Sequence, residues 1–213
     1  MTSLPIISLH LPKSGGTSVR VALAEQFGER AFFDYGRGPL GPHRDLREEG
    51  LQPGIDLVHG HFRPARYDAV GEAFRFTFLR RPTDLLLSFY FFWRTMPHEG
   101  QALHRRFLDE KPTIETFAAW EPIRRLTSDT FFGDYDMSRF DFIGFHETRH
   151  EDMLRLNTLA GLRLDGGRHE NATRGDGEER AALQADARRM SALDDLLIDD
   201  TRFYERMRQR HGA

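Results

Sequence analysis

The chain has 213 residues, 39% of them apolar and 30% charged, with a formal net charge of −3. That length suits a single domain, residues 1–213, with a substantial core, and the charge balance offers no general attraction to nucleic acid. There is no cysteine, which excludes disulfides, thiolate catalysis and cysteine metal sites. No basic segment leads into a long apolar run near the N-terminus, and no stretch approaches about 18 apolar residues. Neither a signal peptide nor a membrane span is therefore expected, and the cytoplasm is the expected compartment.

Ile6 to Leu11, bounded by Pro5 and Pro12, reads as a short buried strand. Thr17 to Phe27 reads as a helix with Val19, Leu23 and Phe27 on one face. Ala31 to Tyr35 is a candidate second strand, and the glycines and prolines of residues 36–45 mark a loop. Ile55 to His61 and Phe74 to Arg80 read as further strands. Pro82 suits the first turn of a helix running to Arg94. Residues 98–133 look helical, with breaks near Pro112 and Pro122. Phe140 to Phe145 is a last strand, followed by a helix over 149–160 and a loop over 165–177. One or two helices close the chain, with Leu193, Leu196, Leu197, Phe203, Tyr204 and Met207 as the packing face of a terminal helix. Strands alternating with helices predict an α/β domain with a mainly parallel sheet. Ligands in such folds sit at the carboxyl ends of the strands. Those ends carry Lys13-Ser14-Gly15-Gly16, His59-Gly60-His61, Arg80-Arg81 and His146-Glu147.

The stretch "HLPKSGGTSVR" joins the first strand to the first helix and has the chemistry of an anion-binding turn. Gly15 and Gly16 permit positive φ and close backbone approach, the helix start offers unpaired N–H groups, and Thr17 and Ser18 can cap the helix or donate hydroxyls. Only Lys13 and Lys111 are lysines among 30 basic residues, so a Lys beside the glycines suggests a need for a compact ammonium. In the nucleotide-binding P-loop the Lys follows the last glycine; here it precedes both. A Mg-dependent phosphotransferase should also carry an Asp at the end of an apolar strand. Asp56 lies at a strand start, and the strand from Phe74 ends in arginines. A basic second anchor points to a ligand with two anionic ends and no obligatory metal. Arg80 supplies that anchor, and Ser88, eight residues on, interrupts the apolar run after Pro82.

Together, "PKSGGTS" and "RRPTDLLLS" resemble the two cofactor motifs of the sulfotransferases that use 3′-phosphoadenosine 5′-phosphosulfate (PAPS). The resemblance implies a P-loop-like three-layer fold with a central, mainly parallel sheet flanked by helices. It implies that Lys13, Ser14, Gly15, Gly16, Thr17 and Ser18 hold the 5′ end, and that Arg80 and Ser88 bind the 3′-phosphate. Arg81 departs from the family, which has Asp or Asn there. Lys13 would contact the oxygen bridging sulfur and phosphate, where charge grows only in the transition state. No metal is implied.

His59 and His61 share a face if their strand continues through them. They suit a core or solvated pair, two ligands of a metal needing a third, or a general base for the acceptor hydroxyl. "HGH" between the two cofactor motifs is similar to the heparan and dermatan uronyl 2-O-sulfotransferase branch. That likeness implies His59 as the base, with His61 supporting it or binding substrate; the expected acceptor is a carbohydrate or other small-molecule hydroxyl. His146 and Glu147 are the next candidates. In the late loop, Asn171, Thr173 and Arg174 are implied near the 3′-phosphate and adenine; a plain exposed loop is the alternative. The aromatic run Phe89 to Trp93 reads as core. Two other functions stay open: an ATP- and Mg-dependent P-loop phosphotransferase, and a nucleotide-binding module without catalysis.

Overall fold

The computed structural model describes residues 4–36, 38–41, 48–97, 99–165 and 177–211. Five strands form one sheet: β1 (Ile6–Leu9), β2 (Ala31–Asp34), β3 (Leu57–Gly60), β4 (Phe74–Leu79) and β5 (Phe142–Phe145). The order is β2-β3-β1-β4-β5 and every pairing is parallel, so the mainly parallel expectation is met by a fully parallel sheet. Helix α1 (Gly16–Phe27) follows β1, α2 (Pro82–Thr95) follows β4 and α6 (Arg149–Ala160) follows β5. Short helices α3 (Ala102–Glu110), α4 (Ile114–Ala118) and α5 (Glu121–Arg124) and a π turn over Leu126–Phe131 lie between α2 and β5. Pro112 falls in the α3–α4 break, whereas Pro122 opens α5, where a missing N–H costs nothing.

Alternation places successive strand residues on opposite sheet faces. Ile6, Leu57, Phe76 and Phe142 pack with Val19, Leu23, Met153 and Leu156 of α1 and α6. Ile7, Leu9, Val58 and Ile143 pack on the other face with Phe131, Phe203 and Met207. This is the expected three-layer α/β arrangement. A third cluster joins α2 to Phe107, Phe117, Trp120, Leu193 and Leu197.

The C-terminal region is three helices, α7 (Gly177–Ala185), α8 (Ala187–Leu196) and α9 (Ile198–His211), where one or two were expected. The carboxylate of Asp186 accepts from the Arg189 N–H at 3.0 Å, capping α8 where α7 has ended. The apolar residues expected on one helix face accordingly divide. Leu193 and Leu197 join the α2 cluster, while Phe203, Tyr204 and Met207 join the sheet.

The order β2-β3-β1 on one side and β1-β4-β5 on the other reverses the chain's direction of travel at β1. A ligand crevice belongs at the carboxyl end of such a strand. No helix among the described residues is long and apolar enough to cross a membrane.

Candidate anion and histidine site

After β1 the chain turns through Lys13, which has φ 64°, and Gly15, with φ 95°, before α1 begins at Gly16. Ser14 donates from Oγ to the Leu11 carbonyl at 2.6 Å and knots the turn. Helix α1 has no side-chain cap. Thr17 is already inside the helix, and Ser18 donates to the Gly15 carbonyl at 3.2 Å, so the expected capping by these hydroxyls is absent. The first-turn N–H groups are left for another acceptor.

Gly15 is favoured by its positive φ, and both glycines are closely surrounded by side chains. A Cβ on Gly15 would meet Arg149 Nε at 3.2 Å and His146 Nδ1 at 3.3 Å; one on Gly16 would fall 1.9 Å from His10 Nε2. Arg149, at the start of α6, donates to the Gly15 carbonyl at 3.3 Å and to Ser18 Oγ. Arg80 donates from Nη1 to the Lys13 carbonyl at 2.8 Å, while its buried Nε has no hydrogen-bond partner among the described residues. The Lys13 ammonium lies 3.8 Å from the centroid of the Phe92 ring. Burial, then the charges of Arg80 and Arg180, pull its pKa down to about 8.

These groups border one cleft of about 840 Å³, toward the upper end of the roughly 300–1,000 Å³ typical of ligand sites. Its described lining includes Lys13, Gly15, Gly16, Thr17, Ser18, Arg80 and Ser88. Ser14 is buried in the turn itself. The four expected strand ends therefore do converge, through Lys13, His61, Arg80 and His146. The described cationic lining is Lys13, Arg20, Arg80, Arg149 and Arg180, against the single carboxylate of Glu99. In a chain of net charge −3, that local excess suits an anion with several charges. Phe89, Phe92 and Trp93 also border the cleft, so the aromatic run read as core is partly a cavity wall.

The histidines share a sheet face, as alternation predicts, but at different depths. His59 stands inside β3 opposite Ser8. It is 2% exposed, its Nδ1 is 2.7 Å from Ser8 Oγ, and its buried Nε2 has no partner within hydrogen-bond geometry among the described residues. It does not border the cleft. His61 lies one residue beyond the strand and does. The sequence reading gave the cavity-facing role to His59; the strand's extent puts His61 there instead. Gly60 between them is required, since a Cβ would fall 1.9 Å from the Asp34 carbonyl oxygen.

His10, to which the sequence reading gave no role, completes the group. Its Nδ1 is 3.1 Å from both His61 Nε2 and the Tyr35 hydroxyl, and its ring stacks on His59 at a centroid distance of 5.4 Å. Desolvation, then His61, lowers His59 to about 3, and desolvation alone lowers His61 to about 3; desolvation, then His61, His59, Lys13 and Arg20, pulls His10 well below its ordinary value. All three rings rest neutral at physiological pH. Among the described residues no group of three His, Asp or Glu side chains has metal-binding geometry.

His146 borders the cleft, its Nδ1 makes no hydrogen bond among the described residues, and burial lowers its pKa. Glu147 faces away, accepting from the Arg81 N–H and the Tyr204 hydroxyl, each at 2.7 Å. Asn171, Thr173 and Arg174 lie outside the described residues.

Fold and site define an α/β protein with a cleft at the end of its central strand whose described lining is predominantly cationic. No protein-family model matches the sequence, and no curated protein matches it. Among solved structures, a sulfotransferase from Alicyclobacillus acidocaldarius aligns over 92% of this chain and 96% of its own, at 12% identity and a TM-score of 0.42. Mouse sulfotransferase SULT7A1, solved in complex with PAP, aligns over 84% of this chain and 62% of its own, at 13% identity and a TM-score of 0.37.

Proposed function

We propose that this chain is a PAPS-dependent sulfotransferase that moves a sulfuryl group to a hydroxyl acceptor. The observation that carries the reading is the pairing of two cationic anchors in one cleft. Lys13 and Gly15 to Ser18 supply one and Arg80 with Ser88 the other, and Arg80 donates directly to the Lys13 carbonyl. The residues fit a nucleotide with phosphate groups at both its 5′ and 3′ positions. The cleft is large enough, its described cations outnumber its one described carboxylate, and the buried Arg80 Nε and His146 Nδ1 make no hydrogen bond among the described residues. Buried polar atoms of that kind are uncommon and suit a ligand.

The bound donor would supply the sulfuryl group, whose bond to the phosphate oxygen breaks as the acceptor oxygen attacks. The chain's own residues supply electrostatics and proton transfer. The α1 N-terminus and the turn amides hold the 5′ end. The Lys13 ammonium stabilises charge growing on the leaving oxygen. His61, rather than His59, takes the acceptor proton, because it is the member of the pair that borders the cleft. Its neutral resting state leaves it able to do so. His59, bonded to Ser8 beneath, supports the wall. A carbohydrate or another small-molecule hydroxyl would serve as acceptor.

Calorimetry with 3′-phosphoadenosine 5′-phosphate (PAP), against ADP with and without Mg, tests the donor. Preference for PAP without Mg supports the reading. Preference for ADP with Mg would transfer the chain to the phosphotransferases, and binding of PAP with no turnover of PAPS on any hydroxyl acceptor would make it a binding module.

A further inference from the structure

We propose that His10 is a positioning residue for His61, accepting its Nε2–H so that Nδ1 stays unprotonated on the cleft side; this rests on His61 being the base. The bond between the rings is direct, with His61 Nε2 at 3.1 Å from His10 Nδ1. Among the described residues His61 has no other ring hydrogen bond. A neutral imidazole carries one N–H, and the partner of one nitrogen decides which nitrogen bears it. If His61 gives its Nε2–H to His10, its Nδ1 keeps a lone pair for an acceptor hydroxyl. If the protons are reversed, His61 presents an N–H and cannot accept.

Tyr35 meets His10 at the same nitrogen, its hydroxyl 3.1 Å away. Burial raises its pKa, so it stays protonated and can either donate or accept. In the proposed arrangement the single lone pair of His10 Nδ1 accepts from His61, and His10 carries its own proton on Nε2. That nitrogen is buried against Gly16 and makes no hydrogen bond among the described residues, which is uncommon for a buried polar group. When the hydroxyl proton arrives at His61 Nδ1, the Nε2–H bond to His10 holds the new imidazolium. The proton on Nε2 can pass to His10 Nδ1, so the charge spreads over two rings. The titratable and charged groups facing His10 are the neutral His59, His61 and Tyr35 and the cations Lys13 and Arg20. Lys13 and Arg20 disfavour a further cation there, and a bound polyanion would oppose them.

Imidazole nitrogen chemical shifts in the full chain test the arrangement without cofactor. His61 should show a protonated Nε2 and an unprotonated Nδ1; a protonated Nδ1 overturns the proposal, whether or not any variant folds. With PAPS present, His10→Phe should lower kcat at least about tenfold, leave PAP affinity unchanged, and move the acid limb of kcat to lower pH, because His61 loses the group that steadies its imidazolium. His10→Asn, whose Oδ1 can accept the same bond, should recover part of kcat. A His10→Phe protein with wild-type tautomer and wild-type pH profile also overturns it. Failure of PAP to bind while His61 shows the expected tautomer would instead remove the sulfotransferase reading and leave the pairing intact.

Discussion

The ammonium of Lys13 rests on the face of Phe92, 3.8 Å from the ring centroid, while its backbone is held elsewhere. Its φ of 64° belongs to a region that glycine occupies at lower cost, and its carbonyl is fixed by Arg80 at 2.8 Å. The side chain alone is left to move. The chain's other lysine, Lys111, also has positive φ, 44°, but serves as the C-cap of α3. A residue kept at a strained position beside an anion turn fits a role in the transition state. Lys13→Ala should therefore lower kcat by about a hundred- to a thousandfold and weaken PAP binding far less. Steady-state kinetics with calorimetry decides: equal losses in affinity and kcat/KM, with kcat at saturation intact, would make it a binding lysine only.

Arg80 and Ser88 should choose the nucleotide. Ser88 is 5% exposed within an apolar helix, yet it borders the cleft. Ser88→Ala should weaken PAP and leave ADP nearly unaffected. Arg80→Ala should cost PAP roughly 1.5–3 kcal/mol, as for a hydrogen bond to a charged group, and should also loosen the Lys13 turn. Calorimetric titration of both nucleotides reads the difference. An equal loss for PAP and ADP in Ser88→Ala would remove the 3′-phosphate assignment.

The buried imidazoles link stability to pH. His59 and His61 have folded pKa values near 3, set first by desolvation, against about 6.5 in an unfolded chain. Between those values the unfolded state binds more protons than the folded one, so stability rises with pH. Their contribution is fully present above about 6.5 and is lost progressively as pH falls toward 3. Urea unfolding at pH 5 and pH 7 should show a lower midpoint at pH 5, and His59→Leu should narrow the gap. An unchanged gap would mean that other groups set the acid sensitivity.

What was legible in the sequence was local. Five short apolar runs became five strands, and Lys13, Arg80 and Ser88 stand on one cleft because each lies at or after a strand end. Depth was not legible. His59 and His61 obey the same alternation, but only the end of β3 at Gly60 decides which one meets the cavity. Strand order was not legible either. His10 and Tyr35 meet His61 because β3 lies between β1 and β2, which no spacing announces. Arg149 did carry a faint signal. A cation at a helix N-terminus opposes the dipole, and its guanidinium instead reaches back to the Gly15 carbonyl.

Two glycines with the same close approach should fail differently. A Cβ on Gly60 would stand 1.9 Å from the Asp34 carbonyl oxygen, which is backbone of β2 and cannot yield without parting the sheet. Gly60→Ala should lose about 1–3 kcal/mol or more, seen in thermal unfolding. A Cβ on Gly16 would also stand 1.9 Å from its neighbour, but that neighbour is the His10 ring. A ring can swing, and Ala is favoured over Gly in a helix by about 1 kcal/mol. Gly16→Ala should therefore cost less stability but lower kcat, because a displaced His10 leaves His61. In a His10→Ala background the ring is gone, and the same change should do little further harm to kcat. That non-additivity is the signature of contact. If Gly16→Ala lowered kcat by the same factor in both backgrounds, its effect would lie in the turn amides and not in the histidine pair.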